Sequence, residues 1–140
     1  RDGLELSKVW NAGPETYLGL AVSGFPNLFT ITGPGSPSVL TNMPRSIEQH
    51  VDWISNLITY MIHSGHAAVE AEKSAAKEWT KHVTDAANYT LLPKANHSWY
   101  LGANIPGKPR VFMPYVNGLN KYRKYCDEVA KGRYKGFTFT

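Results

Sequence analysis

The sequence predicts an α/β fold organised around one strand–loop–helix unit that is followed by further helices. Residues 27–32 form a β-like run with apolar side chains on both faces, which is typical of a buried strand in a parallel sheet. A Gly/Pro-rich segment, 33–41, follows this run and is too irregular for a helix or a strand. Apolar residues then recur at the spacing of one helical face, namely Ile47, Val51, Ile54, Ile58 and Met61.

The helix that carries this apolar face has start and stop signals at both ends. Asn42 is a candidate N-cap, with Pro44 in the first turn. A capping box formed by Ser46 and Gln49 is the alternative start. Gly65 is expected to end the helix, because glycine accepts the left-handed backbone of a C-cap.

The rest of the chain predicts smaller elements around this unit. A β-like run covers 16–22, and 67–71 is a candidate edge strand. Helices are expected at 74–92 and 119–130. Residues 136–139 are a candidate terminal strand.

Composition excludes several classes of function. The chain has 140 residues, which suits one domain, and its net charge of +4 is spread along the sequence, so no nucleic-acid partner is expected. No apolar run approaches the roughly 18 residues of a membrane span. The five histidines lack carboxylate or cysteine partners at ligand spacing, so no metal site is predicted. Cys126 is the single cysteine, which indicates a reducing, cytoplasmic location. It lies within a predicted helix among aromatic and charged residues, so a packed or half-buried thiol is expected rather than a nucleophile.

The first residue is Arg1 rather than Met, and Arg1-Asp2-Gly3 is typical of the middle of a turn. We therefore expect the chain to be the C-terminal piece of a longer protein.

The strand–loop–helix unit is a candidate ligand site. A helix N-terminus presents unpaired N–H groups and a partial positive charge, and ligands of open α/β sheets bind beyond the carboxyl ends of strands. This segment offers both polar side chains and apolar contact, which suits a flat ligand such as a flavin ring: Ser38, Thr41 and Asn42 are polar, and Val39, Leu40 and Met43 are apolar. A tight connection without a ligand is the alternative. Gly33-Pro34-Gly35 is not a phosphate loop, since its proline lacks the N–H that such a loop needs.

A second Gly/Pro-rich segment, 98–110, combines ring faces with polar ends. Trp99 and Tyr100 offer stacking surfaces, and Asn104 and Lys108 offer hydrogen-bonding and cationic groups. These residue types suit a nucleotide. The alternative is that the two rings pack in the core and that Lys108 is solvated.

Taken together, the ordered segments resemble the C-terminal part of flavin-dependent Baeyer–Villiger monooxygenases of the phenylacetone, steroid and cyclopentadecanone type. The resemblance covers essentially the whole chain and rests on four stretches in family order and spacing, namely 28–43, 46–53 (Ser-Ile-Glu-Gln-His-Val-Asp-Trp), 98–114 and 122–130. It implies an enzyme with two dinucleotide-binding domains, in which residues 1–140 are the C-terminal segment of the FAD-binding domain and complete its Rossmann-like fold. It also implies FAD, NADPH, O₂ and a ketone, with insertion of one oxygen atom to give an ester or lactone.

The resemblance assigns roles to individual residues. Segment 33–43 would be the active-site loop, in which Pro37, Ser38, Val39, Leu40 and Met43 line or shape the substrate pocket. Asn42 and Met43 would lie at the flavin. Segment 97–110 would be a mobile loop that contacts NADP through Trp99, with lesser roles for Asn104 and Lys108.

The resemblance also places parts of the enzyme outside this chain. The two glycine-rich phosphate fingerprints and the catalytic arginine lie upstream in the family, and neither Arg45 nor Arg110 matches that arginine. The chain alone is therefore expected to be inactive and to need the N-terminal remainder of the same enzyme as its partner. Two alternatives stay open: the C-terminal part of an N- or S-oxygenating flavin monooxygenase, and a small binding domain without catalysis.

Overall fold

A computed structural model describes residues 3–95 and 98–140, which form a mixed helix and strand structure. The α-helices within these residues are α1 Leu6–Val9, α2 Met43–Ser64, α3 Lys73–Asn88 and α4 Leu119–Lys131. The strands are β1 Val69–Ala71 and β2 Phe137–Phe139, which pair antiparallel. Short 3₁₀ turns lie at Trp10–Ala12, Ser38–Leu40, Leu92–Lys94 and Trp99–Leu101.

The long helix α2 begins and ends where the sequence predicts. Asn42 is the N-cap, because its side-chain oxygen accepts a hydrogen bond from the Arg45 N–H at 3.2 Å. The capping-box alternative is wrong, since the Ser46 hydroxyl is buried and has no hydrogen-bond partner among the described residues. Gly65 ends the helix with a left-handed φ of 73°.

The face that α2 buries differs from the predicted one. Trp53, Ile54, Leu57 and Met61 pack into the core, together with the buried polar residues Ser46 and His50. Three of the five predicted face residues are instead 39–45% exposed, namely Ile47, Val51 and Ile58. The helix therefore has two adjacent apolar faces, of which the one with the indole of Trp53 is buried.

The two β-like runs in the first third of the chain do not form strands here. In 16–22, the Tyr17 N–H bonds to the Ala21 carbonyl at 2.8 Å, which closes a tight turn through Leu18 and Gly19 at positive φ. Run 27–32 contributes only an isolated antiparallel bridge to Ala21. The prediction of a strand buried on both sides in a parallel sheet is thus wrong for the described residues.

The later elements agree more closely with the sequence. The helix expected at 119–130 and the strands expected at 67–71 and 136–139 are confirmed as α4, β1 and β2. The helix expected at 74–92 is shorter, because α3 ends at Asn88 and a 3₁₀ turn containing Pro93 follows. Among the described residues no helix is both long and apolar enough to cross a membrane.

Three long-range hydrogen bonds from buried rings fix the loops onto the helices. The Tyr122 hydroxyl donates to the Leu18 carbonyl at 2.7 Å, and the Trp53 indole N–H donates to the Cys126 carbonyl at 2.8 Å. The Trp79 indole N–H donates to the Gly35 carbonyl at 3.0 Å. The last of these bonds anchors the Gly/Pro segment before α2 to α3.

Candidate functional site

The two Gly/Pro segments singled out in the sequence lie side by side, joined by residues 111–115. The Gly35 N–H bonds to the Met113 carbonyl at 2.7 Å, and the Tyr115 N–H bonds to the Ser36 carbonyl at 2.8 Å. On its other side, the Met113 N–H bonds to the Tyr100 carbonyl at 2.9 Å. Main-chain hydrogen bonds from residues 111–115 therefore hold the two segments next to each other.

A shallow crevice of about 120 Å³ separates the two segments. It is lined by Thr32, Gly33, Pro34, Ser38, Trp99, Tyr100, Met113 and Pro114. Pockets that enclose a whole organic ligand usually measure about 300–1,000 Å³. The crevice is thus large enough to be one wall of a ligand site and too small to enclose a flavin or a nucleotide.

The predicted pocket residues of 37–40 occupy different environments. Pro37 is fully buried, so it can determine the shape of the loop without contacting a ligand itself. Ser38 lines the crevice and has a left-handed φ of 46°, a conformation that side-chain-bearing residues rarely adopt. Leu40 packs against the small apolar cluster of Leu101 and Phe112. Val39 lies in the same turn, but its side chain is outside the described part of the structure.

The N-terminus of α2 presents a main-chain donor. The Arg45 N–H is used by the Asn42 cap, and the Ser46 N–H bonds to the Asn42 carbonyl at 3.1 Å. Pro44 has no N–H. The Met43 N–H makes no hydrogen bond to any acceptor in 3–95 or 98–140. This group and the helix dipole together favour an electron-rich ligand atom at the helix start.

The residues predicted to contact a nucleotide are only partly brought together. The Trp99 ring is 52% exposed and packs against Tyr100 with ring centroids 4.4 Å apart, so it is a half-open face rather than a core residue. Asn104 is exposed and does not line the crevice. The Lys108 ammonium donates to the Asn11 side-chain oxygen at 3.3 Å, which directs it toward the N-terminal segment.

His50 is a residue whose part in the site the sequence analysis missed, because it was considered only as a metal ligand. Its side chain is fully buried, and its Nδ1 accepts a hydrogen bond from the Thr32 N–H at 3.0 Å. Burial lowers the pKa of the imidazole from 6.5 to about 4, so it is neutral at pH 7. Its spacing is the signal that could have found it, because His50 lies one turn after Ser46 and one turn before Trp53 and Ile54 on the buried face.

The single cysteine and the possible metal ligands among the described residues add no further chemistry to the site. Burial raises the pKa of the Cys126 thiol to about 12, so the prediction of a packed thiol is confirmed. Among the described residues, no three His, Cys, Asp or Glu side chains cluster as metal ligands would.

Curated relatives match this chain over almost its whole length. A cyclohexanone 1,2-monooxygenase from Acinetobacter sp is 40% identical over 137 residues, which are 98% of this chain and 25% of that protein. A Baeyer–Villiger monooxygenase from Pseudooceanicola batsensis is 40% identical over 134 residues, or 96% and 24% of the two chains. The phenazine N-monooxygenase PhzNO1 from Lysobacter antibioticus is 39% identical over 137 residues, or 98% and 25%. No family model matches the chain.

Solved structures give the same result for the fold. An oxidised steroid monooxygenase bound to NADP superposes with a TM-score of 0.91 at 48% identity, over 99% of this chain and 26% of that one. OTEMO in complex with FAD and NADP superposes with a TM-score of 0.91 at 34% identity, over 100% and 25%. Over almost its whole length the chain is similar to Baeyer–Villiger monooxygenases. It spans about a quarter of the length of the relatives that it matches.

Proposed function

We propose that this chain is the C-terminal segment of the FAD-binding domain of an FAD- and NADPH-dependent Baeyer–Villiger monooxygenase, which inserts one oxygen atom from O₂ into a ketone. In this proposal residues 1–140 complete the Rossmann-like domain, and the remainder of the polypeptide holds the phosphate-binding loops and the catalytic arginine. The observation that carries the proposal is the convergence of segments 33–43 and 98–110 on one crevice in a chain that matches ketone oxygenases from end to end.

The start of α2 fits the edge of a flavin ring. The Met43 N–H points out of the helix without an acceptor among the described residues, and the cap on Asn42 holds it there. We assign Met43 and Asn42 to the flavin, where a donor and a positive helix end would stabilise negative charge on the reduced ring. FAD, when bound, supplies the redox chemistry that activates O₂.

The half-exposed ring of Trp99 fits a contact with NADP. Trp99 and Ser38 both line the crevice, so a ligand bound there could contact both side chains. Asn104 and Lys108 are weaker assignments, because the first is exposed away from the crevice and the second is bonded to Asn11.

The substrate ketone is assigned to the side of loop 33–43 that faces the flavin. Ser38, Val39 and Leu40 would line this pocket with Met43, and Pro37 would hold the turn in shape from the protein interior. Main-chain hydrogen bonds that join Gly35 and Ser36 to residues 113 and 115 hold the base of this loop in place, which would help to position the substrate.

A second candidate is oxygenation of a nitrogen atom on the same scaffold. The phenazine N-monooxygenase is 39% identical to this chain, against 40% for the cyclohexanone enzyme, so the segment itself does not separate the two reactions. The residues that decide between them would lie in the remainder of the polypeptide.

The test is the product formed by the full-length protein. We expect the purified protein to carry FAD and to oxidise NADPH in the presence of cyclic ketones, with lactones detected by mass spectrometry. Phenazine and a tertiary amine are the matched substrates. N-oxides in place of lactones would support the second candidate, and a protein without flavin would contradict both.

A further inference from the structure

A groove of about 630 Å³ lies between α3, α4 and the turn at 16–22. This volume is within the range of about 300–1,000 Å³ that is usual for pockets that hold small organic molecules. The residues that line the groove are all different from those that line the crevice between the two Gly/Pro segments. The proposed function therefore gives the groove no role.

Aromatic rings form one wall of this groove. The Trp79 indole is buried and its N–H donates to the Gly35 carbonyl, so only its ring surface is left for a ligand. Tyr125 lies edge-on to this indole, with ring centroids 5.6 Å apart, and is 40% exposed. A third ring is fixed because the Tyr17 hydroxyl donates to the Lys135 carbonyl at 2.9 Å. Rings held in this way offer surface to apolar groups and to cations.

Two carboxylates line the same groove. Glu72 is the N-cap residue of α3 and Glu78 lies in its second turn, and neither forms an ion pair with a residue in 3–95 or 98–140. Burial raises the pKa of Tyr17 to about 12, and the charges of Glu78 and Glu72 add to this rise, so both carboxylates lie near that ring. In the described lining they face one ammonium group, that of Lys135, although the chain has a net charge of +4.

A hydrogen-bonding atom without a partner lies among these rings. His82 lines the groove, and its ring centroid is 5.3 Å from that of Trp79 and 5.1 Å from that of Tyr125. Its Nε2 atom is buried and has no hydrogen-bond partner within the part of the chain that the structure describes. Such an atom costs free energy unless a ligand or a water molecule satisfies it. The groove thus combines aromatic surface, negative charge and an unused polar atom.

We propose that this groove binds an organic ammonium ion that carries an aromatic or apolar body. The body would lie against the rings of Trp79 and Tyr125, and the charged nitrogen would face Glu72 and Glu78. A cation is preferred because it gains the attraction of both carboxylates, whereas a neutral molecule gains only the contact with the rings. The inference goes beyond the proposed function, since the groove and the crevice share no lining residue.

The experiment is isothermal titration calorimetry of the full-length protein at neutral pH, without NADPH so that no turnover occurs. The probes are 2-phenylethylammonium and 2-phenylethanol, which are nearly equal in size and shape and differ in charge. We expect the ammonium ion to bind at least about tenfold more tightly than the alcohol. This preference should shrink in about 0.5 M NaCl, because salt screens exposed carboxylates. Equal affinities, or no binding of the ammonium ion, would overturn the proposal.

Two double variants of the full-length protein locate the bound ion. Glu72→Gln with Glu78→Gln removes both carboxylates of the groove, and we expect it to weaken binding of the ammonium ion about tenfold while binding of the alcohol stays unchanged. Asp85→Asn with Glu128→Gln is the matched control, because it removes two exposed carboxylates from α3 and α4 that do not line the groove. This control should bind both probes as the wild type does. Equal losses in the two double variants would show a general effect of charge and would contradict the site.

Competition separates the groove from the proposed ketone site. Excess cyclohexanone should leave the affinity for 2-phenylethylammonium unchanged, because the two ligands would occupy different cavities. Displacement of the ammonium ion by the ketone would place both in one site and would overturn the proposal. A protein that binds the ammonium ion at Glu72 and Glu78 but forms no lactone would contradict the proposed function and leave the groove as its own finding.

Discussion

At the scale of single residues, Gly19 shows how closely the loop before α2 is packed. Its φ is 71°, and an added Cβ would lie 2.6 Å from the Ser36 main-chain nitrogen. Gly65 has almost the same φ, 73°, with no atom within 4 Å of such a Cβ. We expect Gly19→Ala to cost about 2–4 kcal/mol and Gly65→Ala about 1 kcal/mol, because only the first adds a clash to the backbone penalty. Thermal midpoints of the two full-length variants measure this difference, and equal losses would contradict it.

A second prediction at this scale concerns the effect of His50 on how stability depends on pH. Its folded pKa of about 4 lies below the ordinary 6.5, so the unfolded chain takes up a proton between these values and the folded chain does not. The stability that depends on neutral His50 is thus complete above about pH 6.5 and is lost as the pH falls toward 4. The full-length His50→Asn variant keeps an acceptor for the Thr32 N–H but does not titrate, so its thermal midpoint should fall less over this range. His63→Asn, exposed on the same helix, is the control and should follow the wild type.

At the scale of elements, the sequence is most informative where local signals act alone. The cap at Asn42, the stop at Gly65 and helix α4 follow from short-range chemistry, and all three were predictable. The buried face of α2 was not, because both of its faces are apolar and only tertiary contacts choose between them. Run 27–32 failed as a strand for a related reason, since a strand is completed by its neighbours rather than by its own residues.

The candidate site was likewise predictable only in part from the sequence. Patterns of Gly, Pro and aromatic residues singled out both segments, but the approach of Ser38 to Trp99 depends on bonds to residues 111–115 that no local signal indicates. The neutral state of His50 could not be predicted either, because it depends on complete burial among distant residues such as Tyr122.

At the scale of elements, the role of segment 98–110 in NADPH binding can be tested. Trp99 and Ile105 lie in this segment and are almost equally exposed, at 52% and 51%. If the segment contacts NADP through the indole face, Trp99→Ala should raise KM for NADPH several-fold in the full-length enzyme, and Ile105→Ala should not. Flavin content should be unchanged in both variants. Equal changes in KM for the two variants would show that the loop as a whole, rather than the indole, contributes to NADPH binding.

At the scale of the whole molecule, the chain is held together by contacts between its two ends. The Tyr17 hydroxyl donates to the Lys135 carbonyl at 2.9 Å, and Tyr122 bonds to Leu18, so the first turn and the last helix share one core. Phe29 packs against the same core from the 27–32 segment. The molecule thus combines an internally packed body with a crevice that forms only one wall of a site.

The last prediction concerns flavin binding by the isolated chain, because its crevice forms only one wall of a site. Produced alone, the 140-residue chain offers the Met43 N–H and the Trp99 face but no glycine-rich phosphate fingerprint to bind the pyrophosphate, which supplies much of the affinity for a dinucleotide. We expect the isolated chain to retain no flavin after gel filtration in the presence of FAD, whereas the full-length protein retains about one per chain. Absorbance of the eluted protein measures both, and circular dichroism shows whether the isolated chain is folded when it is tested. Stoichiometric flavin on the folded chain alone would mean that α2 and its loop form a complete binding site rather than one wall of it.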